Sequence, residues 1–473
     1  MQSFDKIYIL NLHGDTRKKE KAPDGSKDDN VFDIMQGVSI NIFIKQNSKA
    51  KNTKIYYYDL YGKRKDKYEF LYENNLNSIE WTLVKNNEPF YLFLPQNNDL
   101  LEEYNKGINV KDIFMLSSTG ICSKRDNIVF HNKKENLMQL LKDFNTKTKD
   151  ELYKIYDIGE DSRDWKLDSA IYAVNKNHDN LEKFIKKCHY RPFDNKWTYY
   201  IENSKAFMAY PVYDIFEHFL ENENIGLMIG RQFSAIGSDI FDIVFCTDKI
   251  TDLNFYRRGG EQIFPLYLYP TTRSKKFLKK ENPNFNEENF TSKIENFKEN
   301  FRTFIDELYK EKFSPEDILG YIYAVLFHKI YREKYLDFLK IDFPKIPFVE
   351  NKKTFKNLSK LGLKLLNLHL LKDDELNSNA GEALFKSVKN KNFKIQKVKY
   401  NKDTKELFIN ESLYFNKVSP EIYEFKIGGY AVLDKYLKSH KEEDIDHKHF
   451  TLIIQTLDET LKIQDEISKI NLS

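Results

Sequence analysis

The run FDIMQGVSINIFIK sets Val38, Ile40, Ile42 and Ile44 at alternate positions, the period-two signature of a strand with one apolar face. Such a strand is stable only inside a sheet of several strands with a second layer against it. One other β-rich run precedes it, DKIYILNL, across the polar, turn-rich connection HGDTRKKEKAPDGSKDDN. Two strands make no core, so their apolar faces expect neighbours that must come from elsewhere.

Further along, residues 55 to 95 hold short aromatic segments, KIYYYDLYG and FYLFLP, that read as hairpins or a connecting subdomain. From about 110 to 270 the pattern is mixed. MLSSTGICSKRDNIVF reads as strand, glycine turn, basic loop and strand; HYRPFDNKWTYY is an aromatic strand pair; IGLMIGRQ and FDIVFCTDKI are apolar strands, closing at FPLYLYP. The last third turns helical. Ser314 is an N-cap candidate, Pro315 takes the first helical position, and Asp317 stands where a capping box places its acid. Residues 354–371 and 448–469 carry helical spacing, the latter with a stripe of Phe450, Ile453, Ile454, Leu457, Leu461 and Ile467. Between them FKIQKVKYNKDTKELFIN reads as a hairpin. The class is α+β.

Composition removes several functions. Of 473 residues, 75 are Lys or Arg and 72 Asp or Glu, a net charge of +3, so a nucleic-acid partner has to be argued from local patches. Cys122, Cys188 and Cys246 are odd in number and far apart, which disfavours a disulfide framework or zinc site. The HKH triplet, His447 to His449, reads as a solvated loop. No apolar run is long enough for a membrane span and MQSFDK is no signal peptide, so the chain is expected in the cytoplasm. Walker A, GxSxG and HExxH patterns are absent from the sequence. NPNF, Asn282 to Phe285, departs from the Asn-Pro-Pro-Tyr loop of amino-methylating enzymes at Asn284. In EFK, Glu424 to Lys426, the nearest upstream acid, Glu421, is too close to complete a nuclease metal pair.

Taken together, FDKIYILNLHGDTRKKEKAPDGSKDDNVFDIMQGVSINIFIK resembles the last portion of a γ-class N6-adenine DNA methyltransferase domain, as found in the type ISP restriction–modification enzymes. The likeness continues in order through TGICSKRDNIVF, YRPFDNKWTYY, FPLYLYP, GYIYAVLFHKIYREKYLDFLKIDFPKIPF and YEFKIGGYAVLDKYLKSHK. The resemblance implies an architecture of terminal strands of a Rossmann-like methyltransferase sheet over 1–54, a connecting β-rich segment over 55–109, a target-recognition lobe over 110–280, and a helix-rich remainder of the specificity domain over 281–473. It also implies double-stranded DNA as partner and a role in phage defence. A methyltransferase, helicase and nuclease portion would lie upstream or on a separate subunit. The chain lacks that family's cofactor loop and target-amine loop, so it is expected to hold no S-adenosylmethionine and to have no catalytic residue of its own; the cofactor belongs to the complete enzyme. The alternatives are a subunit active as an adenine methyltransferase only with the missing motifs, and a non-catalytic interaction module.

Residue by residue, the resemblance puts the aromatic ring that stacks on a flipped adenine at Phe32; on its own sequence context Phe32 reads as a core phenylalanine at a strand start. Cations for phosphates, and forked or amide side chains for base edges, are supplied by Lys124 and Arg125 beside Gly120, by Arg191 and Lys196 among aromatics, and by Arg231 with Gln232. The segment from Arg257 to Lys280 has seven basic residues and one acid, and contributes Arg257, Arg258, Arg273, Lys275 and Lys276. Residues 351 to 400 add twelve lysines against four acids.

Overall fold

The computed structural model describes residues 3–18, 20–46, 53–86, 91–95, 99–231, 240–373, 376, 385–387 and 392–472. They form two compact units, divided after Asn105.

The first unit is built on a mixed sheet. Its strands are β1 (Lys6–His13), β2 (Val38–Ile44), β3 (Lys54–Asp59) and β4 (Thr82–Val84), in the order β2-β1-β3-β4, with helix α1 (Arg64–Glu73) between the last two. β1 runs antiparallel to β2 and parallel to β3. Alternation along β1 sends Ile7 and Ile9 to one face, with Ile55, Tyr57 and Val84, and Leu10 and Leu12 to the other, with Val31 and Leu60. Phe70 and Leu71 of α1 pack on the second cluster. β2 is different. It pairs with β1 on one side only among the described residues, and Ile40, Ile42 and Phe43 are 39%, 37% and 48% exposed. The alternation read from the sequence is there, but among the described residues of this unit no layer covers it.

In the second unit the aromatic pair HYRPFDNKWTYY forms a hairpin of β5 (Ile185–Arg191) and β6 (Asp194–Tyr199). The apolar runs become β7 (Gly226–Gly230) and β8 (Val244–Thr247), paired antiparallel; β9 (Ile250–Thr251) adds to β5 in parallel, and β10 (Glu261–Pro265) to β7. The segment NIVF departs from expectation. It is a helical turn, Asp126–Val129, whose Val129 N–H reaches Arg125 O at 2.9 Å. Gly120 also acts otherwise than as a turn residue. A Cβ there would meet Thr251 O at 2.7 Å and Asp252 C at 2.8 Å, so glycine permits two backbones to pass at close range.

Helix α2 (Thr272–Glu281) follows, and NPNF ends it: Asn282 is the C-cap and Phe285 packs with Leu268, Leu278 and Phe290. Helix α3 (Pro315–Phe327) starts at Ser314 with the reciprocal Ser314/Asp317 box in place and Pro315 in its first turn. It lies against α4 (Lys352–His369) so closely that a Cβ on Gly362 would fall 1.8 Å from Gly320 O. The block FKIQKVKYNKDTKELFIN gives β12 (Lys399–Asn401) and β13 (Glu406–Phe408), in a sheet ordered β11-β14-β13-β12 with β11 (Phe385–Ser387) and β14 (Leu413–Phe415). Helix α5 (Val432–Ser439) precedes α6 (His447–Ser468), whose buried stripe holds Phe450, Ile453, Ile454, Leu457 and Ile467, with Leu461 half-buried. The HKH triplet therefore opens a helix, capped by the Asp446 side chain, instead of lying in a loop. A buried chain of hydrogen bonds, Tyr323 Oη to His369 Nδ1 at 2.6 Å and His369 Nε2 to Thr460 Oγ1 at 3.1 Å, joins α3, α4 and α6. Among the described residues no helix is long and apolar enough to cross a membrane.

Candidate nucleic-acid interface

Two places in the molecule are built to present side chains. The first is the loop before β2. Phe32 lies in this loop rather than at a strand start, and it is 55% exposed, with Ile34 and Met35 similarly open. Its backbone, by contrast, is held from all sides. The Asn30 carboxamide donates to Gly14 O at 3.1 Å and accepts from Phe32 N at 2.8 Å. Arg64 donates to Asn30 O at 2.8 Å and Phe32 O at 3.0 Å and pairs with Asp33. Beneath it the fully buried ion pair Lys67–Asp28, 2.8 Å, is completed by Leu12 O and Asp29 O, both 2.7 Å from Lys67 Nζ. A loop with a fixed main chain and open apolar side chains is pre-organised for contact. His13 secures the same region. Its ring is bracketed by Glu20 at 2.7 Å and Asp59 at 2.6 Å and stacks on Tyr61. Burial opposes the imidazolium charge, but the two carboxylates outweigh it and hold the His13 pKa above its ordinary value.

The second place is in the other unit, where five stretches remote in sequence converge on Arg191. The Arg191 guanidinium is buried, ion-paired with Asp252 at 2.5 Å, and lies 3.8 Å from the Tyr190 ring centre and 5.9 Å from that of Tyr430. Lys196 Nζ rests 4.2 Å from the Tyr190 ring and Lys435 Nζ 5.2 Å from the Tyr430 ring. Three cations and two rings thus form one continuous group, in the geometry that ring quadrupoles favour. Tyr190 Oη donates to Asp126 at 3.1 Å, and Asp126 also accepts from Ser123, which fastens the Lys124 loop to the hairpin. Lys124 itself is exposed, with φ of 60°.

Tyr430 is placed by two glycines. Gly428 and Gly429 have φ of 58° and 77°, values glycine adopts freely. Their N–H groups donate to Asp242 O at 2.9 Å and Asp242 Oδ2 at 2.8 Å, while Gly428 O accepts from Arg257 N at 2.7 Å. Burial pushes the Asp242 acid up to about 6. Asp194, in the hairpin, receives Ser439 Oγ at 2.9 Å and faces His440 Nε2 at 3.0 Å; Glu443 meets the other ring nitrogen at 2.9 Å. These bonds lock α5, and hence Lys435, beside the hairpin that carries Lys196. Burial, then neighbouring positive charge, lowers the pKa of Lys435; burial is the largest cause for Lys196 as well, with Arg191 adding to it.

The structure therefore brings together Lys124, Arg191, Lys196 and Arg257, and distributes the other sequence candidates elsewhere. Arg191 is engaged in an internal ion pair, with Nη1 on Asp252 and its plane against the Tyr190 and Tyr430 rings. Arg125 is likewise engaged internally, with the carbonyls of Lys124 and Glu160 and the Trp165 face at 5.1 Å. Arg231 pairs with Asp342 at 2.8 Å; Gln232 lies outside the described residues. Arg258 is exposed, with φ of 70°, on the same loop as Arg257. On α2, Arg273 has both arms on carboxylates, Glu202 and Asp214, each 2.9 Å away. Lys275 is half-buried, and Lys276 lines with Arg273 and Lys280 a surface groove of about 750 Å³. Tyr430 and Lys435 went unread. The only local trace of them is a paired glycine before a tyrosine, GGY, with a lysine five residues later.

A family model described as the Type ISP C-terminal specificity domain matches residues 112–466. Among solved structures, the chain is similar to the ATP-dependent Type ISP restriction-modification enzyme LlaBIII bound to DNA, with a TM-score of 0.71 and 21% identity, over 100% of this chain and 31% of that one. It is similar to the DrdV–DNA complex, with a TM-score of 0.67 and 21% identity, over 98% of this chain and 48% of that one. A nuclease-deletion mutant of the Type ISP enzyme LlaGI, in complex with a DNA substrate mimic, gives a TM-score of 0.66 and 20% identity, over 98% and 37%. The chain thus spans less than half the length of each of these structures. No curated protein matches it.

Proposed function

Because the chain belongs to the Type ISP C-terminal specificity domain family, we propose that it reads a specific sequence in double-stranded DNA and positions a target adenine for methylation by a core outside these residues. The observation that carries this is the group around Arg191, where Lys196 and Lys435 rest on two tyrosine rings with no carboxylate in ion-pair contact among the described residues, and where Lys124 and Arg257 stand on adjoining loops. The phosphates of a duplex can reach cations drawn from both the 110–280 lobe and the 281–473 region.

In the same reading, the mixed sheet of the first unit closes a Rossmann-like methylase sheet, the open β2 receives that sheet's neighbouring layer, and Phe32 stacks on the extruded base. S-adenosylmethionine serves the complete restriction–modification enzyme and is held by its methylase core. The partners are duplex DNA and the methyltransferase, helicase and nuclease portions, and the setting is the cytoplasm. The test is recovery of duplexes from a randomised pool. The chain, alone or joined to a methylase core, is expected to enrich one motif, with binding that weakens steeply as salt rises. Retention without enrichment in either form overturns the proposal.

A further inference from the structure

We propose that Lys196 and Lys435 are a sequence-independent anchor for backbone phosphates of the DNA, and that Arg191 is a positioning residue that sets them without touching the nucleic acid. The inference rests on the reading of the chain as a DNA-recognition part and assigns the chemistry of one piece of that surface.

Some lysines of this chain hold a carboxylate: Lys186 reaches Glu221 at 2.8 Å, Lys364 reaches Glu459 at 2.7 Å and Lys438 reaches Asp434 at 2.7 Å. Lys196 and Lys435 make no ion pair among the described residues: Asp194 acts on both, and Glu443 and Asp126 on Lys196, only at longer range. Asp194 is occupied by Ser439 and His440 instead. The two ammonium groups are left half-buried on tyrosine rings, near each other and near a buried guanidinium. Positive charge kept in that state is stabilised by an incoming anion, and more so because burial weakens screening.

The type of side chain decides what the anion is. Lysine offers a compact charge with three donors and no fork, which suits a phosphate and discriminates poorly between base edges. Arginine has the fork that reads guanine, but Arg191 Nη1 is committed to Asp252 and Tyr190 O, with the side chain 7% exposed. The scaffold around it is closely fitted. Tyr190 is tied to Asp126, and a Cβ on Gly428 would strike Tyr256 Cδ1 at 2.0 Å. Base reading then falls to other loops, and this group fixes where the duplex sits.

The experiment measures binding of the full chain against salt by fluorescence anisotropy, using the duplex enriched from the pool and a scrambled duplex of equal length. Lys196→Met and Lys435→Met keep the aliphatic stems on the rings and remove the charge; Lys462→Ala on α6 is the control. Each methionine variant is expected to flatten the log–log salt slope by about 0.9, so that its loss relative to wild type changes about 3.5-fold between about 50 and 200 mM salt. The loss should be equal for both duplexes, and Lys196→Arg and Lys435→Arg should restore the slope. An unchanged slope overturns the anchor. So does a loss confined to the enriched duplex, which would make these lysines base readers while leaving the proposed function intact. A wild-type chain that binds both duplexes equally removes sequence specificity instead, and the slopes still decide the anchor.

Discussion

His13 and His440 occupy the same chemical setting in different units. Each ring is bracketed by two carboxylates, Glu20 and Asp59 for the first, Asp194 and Glu443 for the second. Each stacks on a tyrosine, Tyr61 at 3.8 Å and Tyr436 at 4.5 Å. The difference is reach. His13 joins residues 7 and 46 positions away, whereas the His440–Asp194 contact spans 246 positions. Closing a longer loop costs more chain entropy, though only logarithmically, and the longer closure has company: Ser439 also bonds Asp194, and Asn132 donates to Glu443 at 2.6 Å. The same local device therefore finishes a loop in one unit and assembles a surface in the other.

Breaking the buried charge under the first loop should give the largest effect. Lys67→Met strands Asp28 without its cation and is expected to destabilise the first unit by about 3–5 kcal/mol. Hydrogen exchange checks it: amides of β1 and β3 should lose protection while those of β5 and β6 keep theirs. Asp194→Ala comes next, at about 2–3 kcal/mol for two hydrogen bonds to a buried carboxylate. It should release α5 from the hairpin and weaken binding of any duplex, read by exchange and anisotropy together.

A smaller effect separates the two histidines by pH. Burial works against both charges, and bonds to carboxylates raise both pKa values above the ordinary one. The stability each adds is complete below a pH of about 6.5 and is lost as pH rises through the raised value. Thermal melts taken from pH 6 upward should therefore decline, His13→Gln abolishing the part seen in first-unit amides and His440→Gln the part seen in β5–β6. Least of all, Phe32→Ala should alter stability by no more than about 0.5 kcal/mol, because the ring is over half exposed. Methylation by the chain joined to its core should nevertheless fall, and equal rates would remove Phe32 from base stacking.

What was legible in the sequence follows the range of the interactions. The start of α3 was readable because its Ser314/Asp317 box closes within four residues, and the β5–β6 hairpin because its aromatics alternate beside a short turn. NIVF looked like a strand, but its helical turn is fixed by tertiary bonds through Asp126 that no local pattern reports. The partners of the arginines were not legible in the sequence, for a plain reason. The guanidinium that suits guanine also suits a carboxylate, and Arg191, Arg231 and Arg273 pair with Asp252, Asp342, and Glu202 with Asp214, partners 59 to 111 positions away. Lys435 was missed because what distinguishes it is a partner it lacks, and that is visible only in space.

The tight seating of Gly428 on Tyr256 has a bearing on how the address read by such a protein could be rewritten. Even one added methyl group at that turn would displace Tyr430 and with it the whole hub. Variation is more tolerable where side chains are exposed at the loop tips, as at Lys124 and Arg258. Retargeting by mutation should therefore succeed at those exposed tips and fail at the hub, much as a lock is re-keyed by changing its pins and not its cylinder.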